Sequence, residues 1–263
     1  MFWLTLPNSK PVVVVCDVGQ GDAILATYKN IQILFDVGPN NKKVLKCLEN
    51  HVPFWDKTIE AVILSHGDSD HVGGLADLMK AYKVEIFFSN GYLDEDIEQK
   101  IYSQKIGQND IVLLSLFNFE VVWPEKNGPA GSDAVLAGKD GNENSVAGIL
   151  TVKEGTTPKA SHLGGQAWSM FLSGDMEKET EQKLVWRKIL NKPVTVLKVS
   201  HHGSSTATSE ELLKILKPKT AVISVGKDNR FGHPTKEVLE RLKMVGAEIL
   251  RTDIVGDVTV GVD

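Results

Sequence analysis

Residues 65–74, which read Ser-His-Gly-Asp-Ser-Asp-His-Val-Gly-Gly, constrain the fold of this chain more than any other segment. They follow the apolar run 61–64 and precede 74–82, where apolar residues recur at helical spacing. A tight loop between a buried strand and a helix can turn alternate side chains to one side. Imidazole and carboxylate groups are ligands for Zn, Mn and Fe, and four of them exceed the needs of one ion. The segment therefore predicts a site for two metal ions. The candidate ligands are His66, Asp68, Asp70 and His71.

Two further motifs also follow apolar runs that predict strands. Ser-Gly-Asp at 173–175 comes after the run 168–172, and a carboxylate at the carboxyl end of a strand is where α/β folds place function. Taken alone, this segment would be an ordinary turn. His201 and His202 come after the run 194–199. Neighbouring side chains on an extended chain point in opposite directions, so these two histidines are expected to have different roles.

Composition and hydropathy exclude a disordered protein, a membrane-spanning protein and a small disulfide-rich protein. With 263 residues, 42% of them apolar and 24% charged, the chain has a globular composition, and we expect a single domain over 1–263. Its apolar runs are too short to span a bilayer, and residues 1–6 do not form a signal peptide. Two cysteines, Cys16 and Cys47, do not make a disulfide framework, so a reducing compartment is expected. These features predict a cytoplasmic protein without a membrane partner.

The net charge of −5 is not that of a protein that coats nucleic acid. It leaves a nuclease open, because a local basic groove or a bound metal ion can hold one phosphate. Basic residues are concentrated in 186–219, which carries seven lysines and arginines against Glu210 and Glu211. Two interpretations stay open for this segment, namely solvated helix faces and a shallow basic surface beside the predicted site.

The order of the apolar runs predicts two sheets covered by helices. Short strand-like runs dominate the first half of the chain, and 23–28 and 31–35 are expected to form a hairpin around a two-residue turn. The second half alternates strands with three predicted helices. The first covers 178–190, the second begins at Ser209 and is ended by Pro218, and the third begins after Thr235. This pattern predicts an α/β (α+β) protein.

Taken together, these motifs resemble a known family. The order of the candidate ligands resembles the metal-ligand pattern of the metallo-β-lactamase fold: His66-x-Asp68-x-Asp70-His71, then Asp175, then His201. Asp68 stands where that fold usually has a second histidine. That replacement is similar to the ComEC-type domain of bacterial DNA-uptake channels. The full set of motifs is specific for this type of domain, whereas residues 65–71, here called the metal loop, would by themselves indicate only the superfamily. The other segments that match, in the same order, are 17–23, 35–38, 144–145, 201–204, 232–234 and 251–253.

The resemblance implies an αββα four-layer sandwich with two divalent metal ions, Zn or Mn, at one edge. Such proteins usually hydrolyse an ester, an amide or a phosphodiester through a metal-bound hydroxide. Asp36 would support the metal loop from behind the ligands. Asp70 counts as catalytic as well as ligating, since it supplies an anionic oxygen that no neighbour replaces. The implied ligands are His66 and Asp68 for the first ion, Asp70, His71 and His201 for the second, and Asp175 as the bridge between the two.

The sequence departs from the family pattern in its ligands and in its context. The fold usually supplies another histidine between the metal loop and Asp175, but His162 lies in a Gly-rich loop before a strand and is not expected to be a ligand. Asn144 or Ser145 lies nearer the expected place, so the first ion would bind weakly. Asp68 makes the first site richer in oxygen, which favours Mn²⁺ beside Zn²⁺. The membrane portion of the channel is absent from this sequence, so the chain need not share the channel's role.

Two other histidines have roles that the sequence leaves open. His202 could donate a proton to the leaving oxygen, or it could form a hydrogen bond that fixes the loop. His233 lies in the segment Gly-His-Pro, where related phosphodiesterases have a histidine that meets the substrate phosphate. A helix-entry turn closed by Pro234 is the alternative for that segment.

The leading functional hypothesis is a metal-dependent phosphodiesterase acting on single-stranded DNA or another nucleotide polymer. The second is a hydrolase of small esters, lactones or thioesters, which the acidic net charge favours and the ComEC-like motifs disfavour. The third is a metal-stabilised effector module that binds a partner protein and catalyses no reaction. Hydrolysis of β-lactams is not expected with Asp68 in the ligand loop. The sequence does not indicate the polarity of cleavage or the oligomeric state.

Overall fold

The structure, a computed structural model, describes residues 7–91, 100–126, 141–153 and 168–261. The 3₁₀ turn Gly141–Asn144 precedes β9 in the third range, and the Gly-rich loop with His162 lies outside the described residues. The strands are β1 (Asn8–Val15), β2 (Ile24–Lys29), β3 (Ile31–Phe35), β4 (Thr58–Ile63), β5 (Lys83–Ser89), β6 (Ser103–Lys105), β7 (Ile111–Leu114), β8 (Phe117–Trp123), β9 (Ala147–Val152), β10 (Ser169–Leu172), β11 (Val196–Lys198), β12 (Thr220–Ile223), β13 (Glu248–Arg251) and β14 (Val258–Gly261). The helices are α1 (Lys43–His51), α2 (Ser69–Val72), α3 (Leu75–Ala81), α4 (Lys178–Trp186), α5 (Glu210–Leu216), α6 (Lys236–Met244) and α7 (Thr252–Val255).

The first sheet has the strand order β14-β1-β2-β3-β4-β5-β6. Strands β2 and β3 form the predicted hairpin, in which Ile24 pairs with Phe35 and Tyr28 with Ile31. Strands β3, β4, β5 and β6 are parallel, so the carboxyl ends of β3 and β4 lie side by side. Because β2 is antiparallel to β3, the beginning of β2 lies at the same end. Residues just before β2, just after β3 and just after β4 therefore meet at one edge of this sheet.

The second sheet has the strand order β13-β12-β11-β10-β9-β8-β7. Strands β10 to β13 are parallel, whereas β7 to β10 form an antiparallel meander. Strands covered on both faces are apolar throughout, and the residues of β10 and β11 are all buried. The polar exceptions in these two strands are Ser169 at the start of β10 and Lys198, a buried lysine at the end of β11. The carboxyl ends of β10, β11 and β12 again lie side by side.

Three apolar clusters separate four layers. The cluster between the two sheets includes Ile63 and Met170, and in it the rings of Phe35 and Phe119 pack edge to face with their centroids 4.9 Å apart. A second cluster packs α1 and α3 against the outer face of the first sheet, and a third packs α4, α5 and α6 against the outer face of the second. This arrangement confirms the predicted αββα four-layer sandwich.

The helices of the second half follow the sequence predictions with small differences at their ends. Ser209 caps α5 as expected, since its Oγ accepts a hydrogen bond from the Leu212 amide at 3.3 Å. The helix expected over 178–190 ends at Trp186, after which Lys188 adopts a positive φ of 56° that a helix does not continue. None of the helices in the described ranges is long and apolar enough to cross a bilayer.

Helix α1 is not among the elements predicted above, although its buried residues Val44, Cys47 and Leu48 have helical spacing. A disulfide joins Cys47 to Cys16, which directly follows β1, and the two Cα atoms are 5.8 Å apart. This pairing corrects the expectation drawn from the cysteine count. The two cysteines meet, although 31 positions separate them, because α1 packs on the face of the first sheet beside the end of β1. The two cysteines therefore do not indicate a reducing compartment.

Candidate metal centre

The predicted ligands lie on segments that follow neighbouring strands of both sheets. In the first sheet, Asp36 follows β3 and residues 65–71 follow β4. In the second, Asp175 follows β10, and residues 201–202 belong to the 3₁₀ turn Ser200–Gly203 after β11. Because these strand ends share one edge of the sandwich, side chains that are distant in sequence converge between the two sheets.

Asp36 holds the metal loop in place from behind. Its Oδ1 accepts a hydrogen bond from the Ser65 amide at 2.7 Å, and its Oδ2 accepts one from Ser65 Oγ at 2.7 Å. The same Oδ2 lies 2.8 Å from Nδ1 of the buried His71. With Nδ1 held by a carboxylate, Nε2 is the nitrogen that His71 presents to a metal ion.

Four side chains bring their ligand atoms to one place. The ligand atoms of Asp70, His71, Asp175 and His202 all lie within 4.8 Å of one another. Nε2 of His71 lies 3.3 Å and Nε2 of His202 lies 3.4 Å from Oδ2 of Asp175. Nε2 of His202 is also 3.3 Å from Oδ2 of Asp70. Asp70 is about one-third exposed, with 32% of its side chain accessible, while the other three are buried, so the group is open to solvent on the Asp70 side.

The atoms of this group fit a divalent cation. Nε2 of His71 and Nε2 of His202 form no hydrogen bond with Asp175 despite their short distances to it, because the atoms converge on a common point and are not aimed at each other. A buried polar atom without a partner costs roughly 1–3 kcal/mol, and a cation at that point would satisfy several at once. The atoms without a hydrogen-bond partner among the described residues include Nε2 of His66, His71 and His202 and Oδ1 of Asp175.

The two adjacent histidines occupy positions that differ from the sequence expectation. His202 belongs to the four-residue group, and its Nδ1 donates to the Ser224 carbonyl at 2.9 Å, which leaves Nε2 to face Asp175. Nε2 of His201 lies farther away, 3.9 Å from Asp175, and its Nδ1 lies 3.3 Å from Oε1 of Glu177. The alternation argument does not hold here because the chain is not extended: φ is 48° at His201 and 53° at His202.

His66 and Asp68 lie beside the four-residue group and not within it. Nε2 of His66 is 3.6 Å from Oδ2 of Asp68, and the ring centroid of His66 is 4.1 Å from that of His71. His66 is buried and its Nδ1 lies 2.9 Å from Ser65 Oγ, whereas the side chain of Asp68 is 54% exposed. This pair therefore forms the more open part of the site.

Ser145 and Asn144 contact the site from the turn before β9. Ser145 Oγ accepts a hydrogen bond from the Asp175 amide at 3.3 Å and lies 3.4 Å from Nδ1 of His66, so it touches one predicted ligand from each sheet. The backbone carbonyl of Asn144 accepts a hydrogen bond from the side chain of Asn90 at 2.6 Å. That bond ties the turn to the end of β5.

His233 lies at the rim of the site, directly before Pro234 and the start of α6 at Lys236. Its ring centroid is 5.9 Å from that of His201. The amide of His233 donates to Asn229 Oδ1 at 3.0 Å, and its carbonyl accepts from Asn229 Nδ2 at 2.7 Å, so the residue is held by its backbone. The structure thus places His201 and His233 together, on the Glu177 side of the ligands.

Comparison with known families accounts for this arrangement of strands and ligands. Residues 16–227 match Lactamase_B, the metallo-beta-lactamase superfamily, and this range contains every predicted ligand. The chain belongs to the metallo-β-lactamase superfamily.

Relatives within the superfamily confirm the ComEC-type resemblance. The chain is 30% identical over 279 residues to ComE operon protein 3 of Bacillus subtilis (strain 168), with 94% of this chain and 32% of that protein covered. It is 28% identical over 260 residues to Competence protein ComA of Neisseria gonorrhoeae, with 97% of this chain and 33% of that protein covered. The chain therefore spans about a third of the length of the curated relatives it matches. In fold it is similar to Igni18, a metallo hydrolase from the archaeon Ignicoccus hospitalis KIN4/I, with a TM-score of 0.57, 16% identity and coverage of 97% and 100% of the two chains.

Charges in this metallo-β-lactamase site perturb one another strongly. Burial alone would lower the pKa of His202, but the carboxylates of Asp175 and Asp22 outweigh it and raise the pKa to about 9. Burial also opposes the charge on His71, yet Asp175 and Asp36 raise the pKa of that imidazole well above its ordinary value. Burial would raise the pKa of Asp175, but the histidines around it hold that pKa well below the ordinary range. Without metal, protons on the two imidazoles neutralise the carboxylates.

Asp22 and Lys198 are site residues that the sequence argument missed. Their side chains form an ion pair beneath the ligands, and each is only about 1% exposed. Oδ1 of Asp22 also lies 3.5 Å from Nδ1 of His202. A signal was present in the sequence, since Lys198 interrupts an otherwise apolar run and Asp22 stands in the ComEC-like segment 17–23. A buried lysine needs a carboxylate beside it, but the sequence does not indicate which aspartate or glutamate pairs with Lys198.

Proposed function

We propose that this member of the metallo-β-lactamase superfamily is a metal-dependent phosphodiesterase that cleaves single-stranded DNA or another nucleotide polymer. The observation that carries the proposal is the group of Asp70, His71, Asp175 and His202, whose ligand atoms converge. Within the described residues, Nε2 of His71, Nε2 of His202 and Oδ1 of Asp175 have no hydrogen-bond partner. That group lies on a fold whose superfamily consists generally of metal-dependent hydrolases.

In this proposal the four-residue group would hold one divalent ion, with His202 in the position predicted for His201. His66 and Asp68 would hold the other ion, and Asp175 is the residue proposed to serve both. When bound, two such ions would activate water near neutral pH and neutralise charge that develops on a phosphodiester. The exposed carboxylate of Asp68 would make the position between His66 and Asp68 the more oxygen-rich of the two and the one that binds its ion more weakly.

The chain's own residues supply a proton donor at the rim. His201 is about a quarter exposed, and Nδ1 of its ring lies 3.3 Å from Oε1 of Glu177, so the ring is held at the edge of the site where a leaving oxygen could reach it. His233 suits a different role. Burial and the nearby imidazoles of His201 and His202 lower the pKa of His233, so it is neutral near pH 7 and can hydrogen-bond a substrate oxygen without losing a proton. We therefore assign proton donation to His201 and substrate positioning to His233.

A nucleotide polymer is favoured as the substrate by the relatives. One relative carries the name competence protein, and the similarity to it runs along 97% of this chain. The site lies at an open edge of the sandwich, with Asp68 and Asp70 accessible, as cleavage within a long polymer requires.

The direct test is hydrolysis by the purified, metal-depleted chain after addition of Mn²⁺ or Zn²⁺. Labelled single-stranded DNA, double-stranded DNA, bis-p-nitrophenyl phosphate, a lactone and a thioester are assayed in parallel. The proposal requires cleavage of single-stranded DNA that depends on metal and disappears in Asp70→Ala, which removes a carboxylate from the four-residue group. Lys214→Ala, on the exposed face of α5, is the control for the purification. Turnover of the lactone or thioester without any phosphodiester cleavage would overturn the proposal in favour of a small-molecule hydrolase. Metal binding with no turnover of any substrate would overturn it in favour of a binding module.

A further inference from the structure

The loop between β12 and α6 carries an exposed aromatic ring at the rim of the metal centre. Asn229 organises this loop, since its Nδ2 donates to the Gly226 carbonyl at 2.9 Å and to the His233 carbonyl at 2.7 Å. The backbone between those two carbonyls is thereby closed into a compact turn. Phe231, at the outer end of the turn, leaves 55% of its surface exposed.

Phe231 is the outermost of three rings that lead into the site. Its ring stacks on that of His233, with 5.8 Å between centroids and 26° between planes. The ring of His233 in turn lies 5.9 Å from that of His201, whose Nε2 is 3.9 Å from Asp175. The exposed ring is therefore connected to the ligands through two imidazoles, and its orientation is set by the stack.

A cation accompanies this ring. The guanidinium of Arg230 lies 5.2 Å from the ring centroid of Phe231. Arg230 is exposed, and within the described part of the chain no carboxylate forms an ion pair with it. An exposed aromatic ring beside an arginine is the combination that proteins use to bind single-stranded nucleic acid, because a base stacks on the ring while the cation meets the phosphate.

We infer that Phe231 and Arg230 form a subsite for an unpaired nucleobase of the polymer being cleaved. The base would stack on the exposed part of Phe231, and the guanidinium of Arg230 would move to the adjoining phosphate. The inference rests on the proposed function and deepens it, because a base held at this point would place the neighbouring phosphodiester toward His201 and the ligands. It also gives a physical reason for preferring single strands, since a paired base cannot leave its stack without cost.

The test compares substrates that have the same phosphates with and without bases. Steady-state cleavage of an oligodeoxythymidylate and of a fully abasic oligomer of equal length is measured for the metal-loaded wild type and for Phe231→Ala. The wild type should have a KM for the oligodeoxythymidylate about 5- to 150-fold lower than for the abasic oligomer, which is the usual effect of one stacked base. Phe231→Ala should raise the KM for the oligodeoxythymidylate to the abasic level, with little effect on kcat. The effects on KM of removing the Phe231 ring and of removing the bases should therefore not be additive.

Three further variants separate stacking on Phe231 from a structural effect and from the contribution of Arg230. Phe231→Trp should restore the low KM, because an indole also stacks with a base. Phe54→Ala is the matched control: Phe54 is also 55% exposed, but it precedes β4, whose other end carries the metal loop. Arg230→Ala should raise the KM for both oligomers, and less so at high salt.

The outcome separates this inference from the proposed function. If the wild type cleaves both oligomers equally well, or if Phe231→Ala raises both KM values by the same factor, the nucleobase subsite is wrong while the phosphodiesterase stands. If the wild type cleaves neither oligomer, the proposed function fails first.

Discussion

Asp22 and Lys198 pair in the interior of the sandwich, where the first sheet meets the second beside the candidate ligand His202. Asp22 precedes β2 and Lys198 ends β11, so the pair links the two sheets. Because Oδ1 of Asp22 lies 3.5 Å from Nδ1 of His202, the pair also supports the ring that faces the metal position. Asp22 therefore has one oxygen toward a lysine and one toward a ligand.

Removal of one partner of this pair should destabilise the metal-free protein. In Lys198→Met the carboxylate of Asp22 stays buried without its cation, which typically costs about 3–5 kcal/mol. The double variant Asp22→Asn, Lys198→Met should recover much of that loss, because neither charge remains. Urea denaturation without metal measures both changes. Lys214→Met, which breaks an exposed ion pair with Glu210, should change stability by less than about 1 kcal/mol. Equal stability of Lys198→Met and the wild type would show that the pair is not desolvated.

The two adjacent histidines should separate metal binding from turnover. His202→Ala should lower metal affinity by more than the roughly 10–100-fold loss that follows removal of an outer hydrogen-bond partner, because it deletes a ligand. His201→Ala should retain the metal and slow cleavage by about 10²–10⁴-fold, as loss of a general acid does. The slowing should be smaller for bis-p-nitrophenyl phosphate, whose leaving group needs no proton. Metal content by elemental analysis and kcat on both substrates give the answer. The opposite pattern would restore the ligand assignment made from sequence.

Asp68 should set the metal preference of the more open position. In Asp68→His an imidazole replaces an oxygen ligand, so the ratio of activity with Zn²⁺ to activity with Mn²⁺ should rise while the fold persists. Glu177→His provides a comparison, since it changes an acidic side chain near His201 and outside the four-residue group. An unchanged ratio in Asp68→His would mean that the exposed carboxylate points away from the ions.

Metal binding should release protons near neutral pH. In the metal-free protein His202, with a pKa of about 9, and His71, with a raised pKa, are protonated at pH 7, and a metal ion binds only the neutral ring. Apparent metal affinity should therefore rise with pH, by about tenfold per pH unit for each proton displaced, and the contribution of His202 should level off near pH 9. The metal-free protein should show the opposite trend, because the stabilisation that protonation of His202 provides is complete below about pH 6.5 and is lost as the pH rises through about 9. Calorimetric titration in buffers of different ionisation enthalpy measures the release, and no release at pH 7 would contradict the assignment.

Local patterns accounted for most of the fold. The hairpin of β2 and β3, the Ser209 cap of α5 and the strands before each ligand segment are short-range features that propensity and capping determine. Helix α1 is the main omission: its buried residues Val44, Cys47 and Leu48 have helical spacing, but they all lie in the first six positions of a nine-residue helix, which is too short a pattern to indicate a helix by itself. The disulfide of Cys16 with Cys47 depends on how α1 packs, and no local pattern carries that information.

The sequence by itself determined that four candidate metal ligands follow β4, because the density of such residues in 65–71 is a local property of the chain. Only the tertiary structure decided which of the two adjacent histidines lies with Asp70, His71 and Asp175. That choice depends on a turn in which both residues have positive φ and on a hydrogen bond from His202 to the Ser224 carbonyl, which β12 brings within 2.9 Å. The pairing of Lys198 with Asp22 was decided in the same way, since the burial of a lysine predicts that a carboxylate must be near but not which strand supplies it.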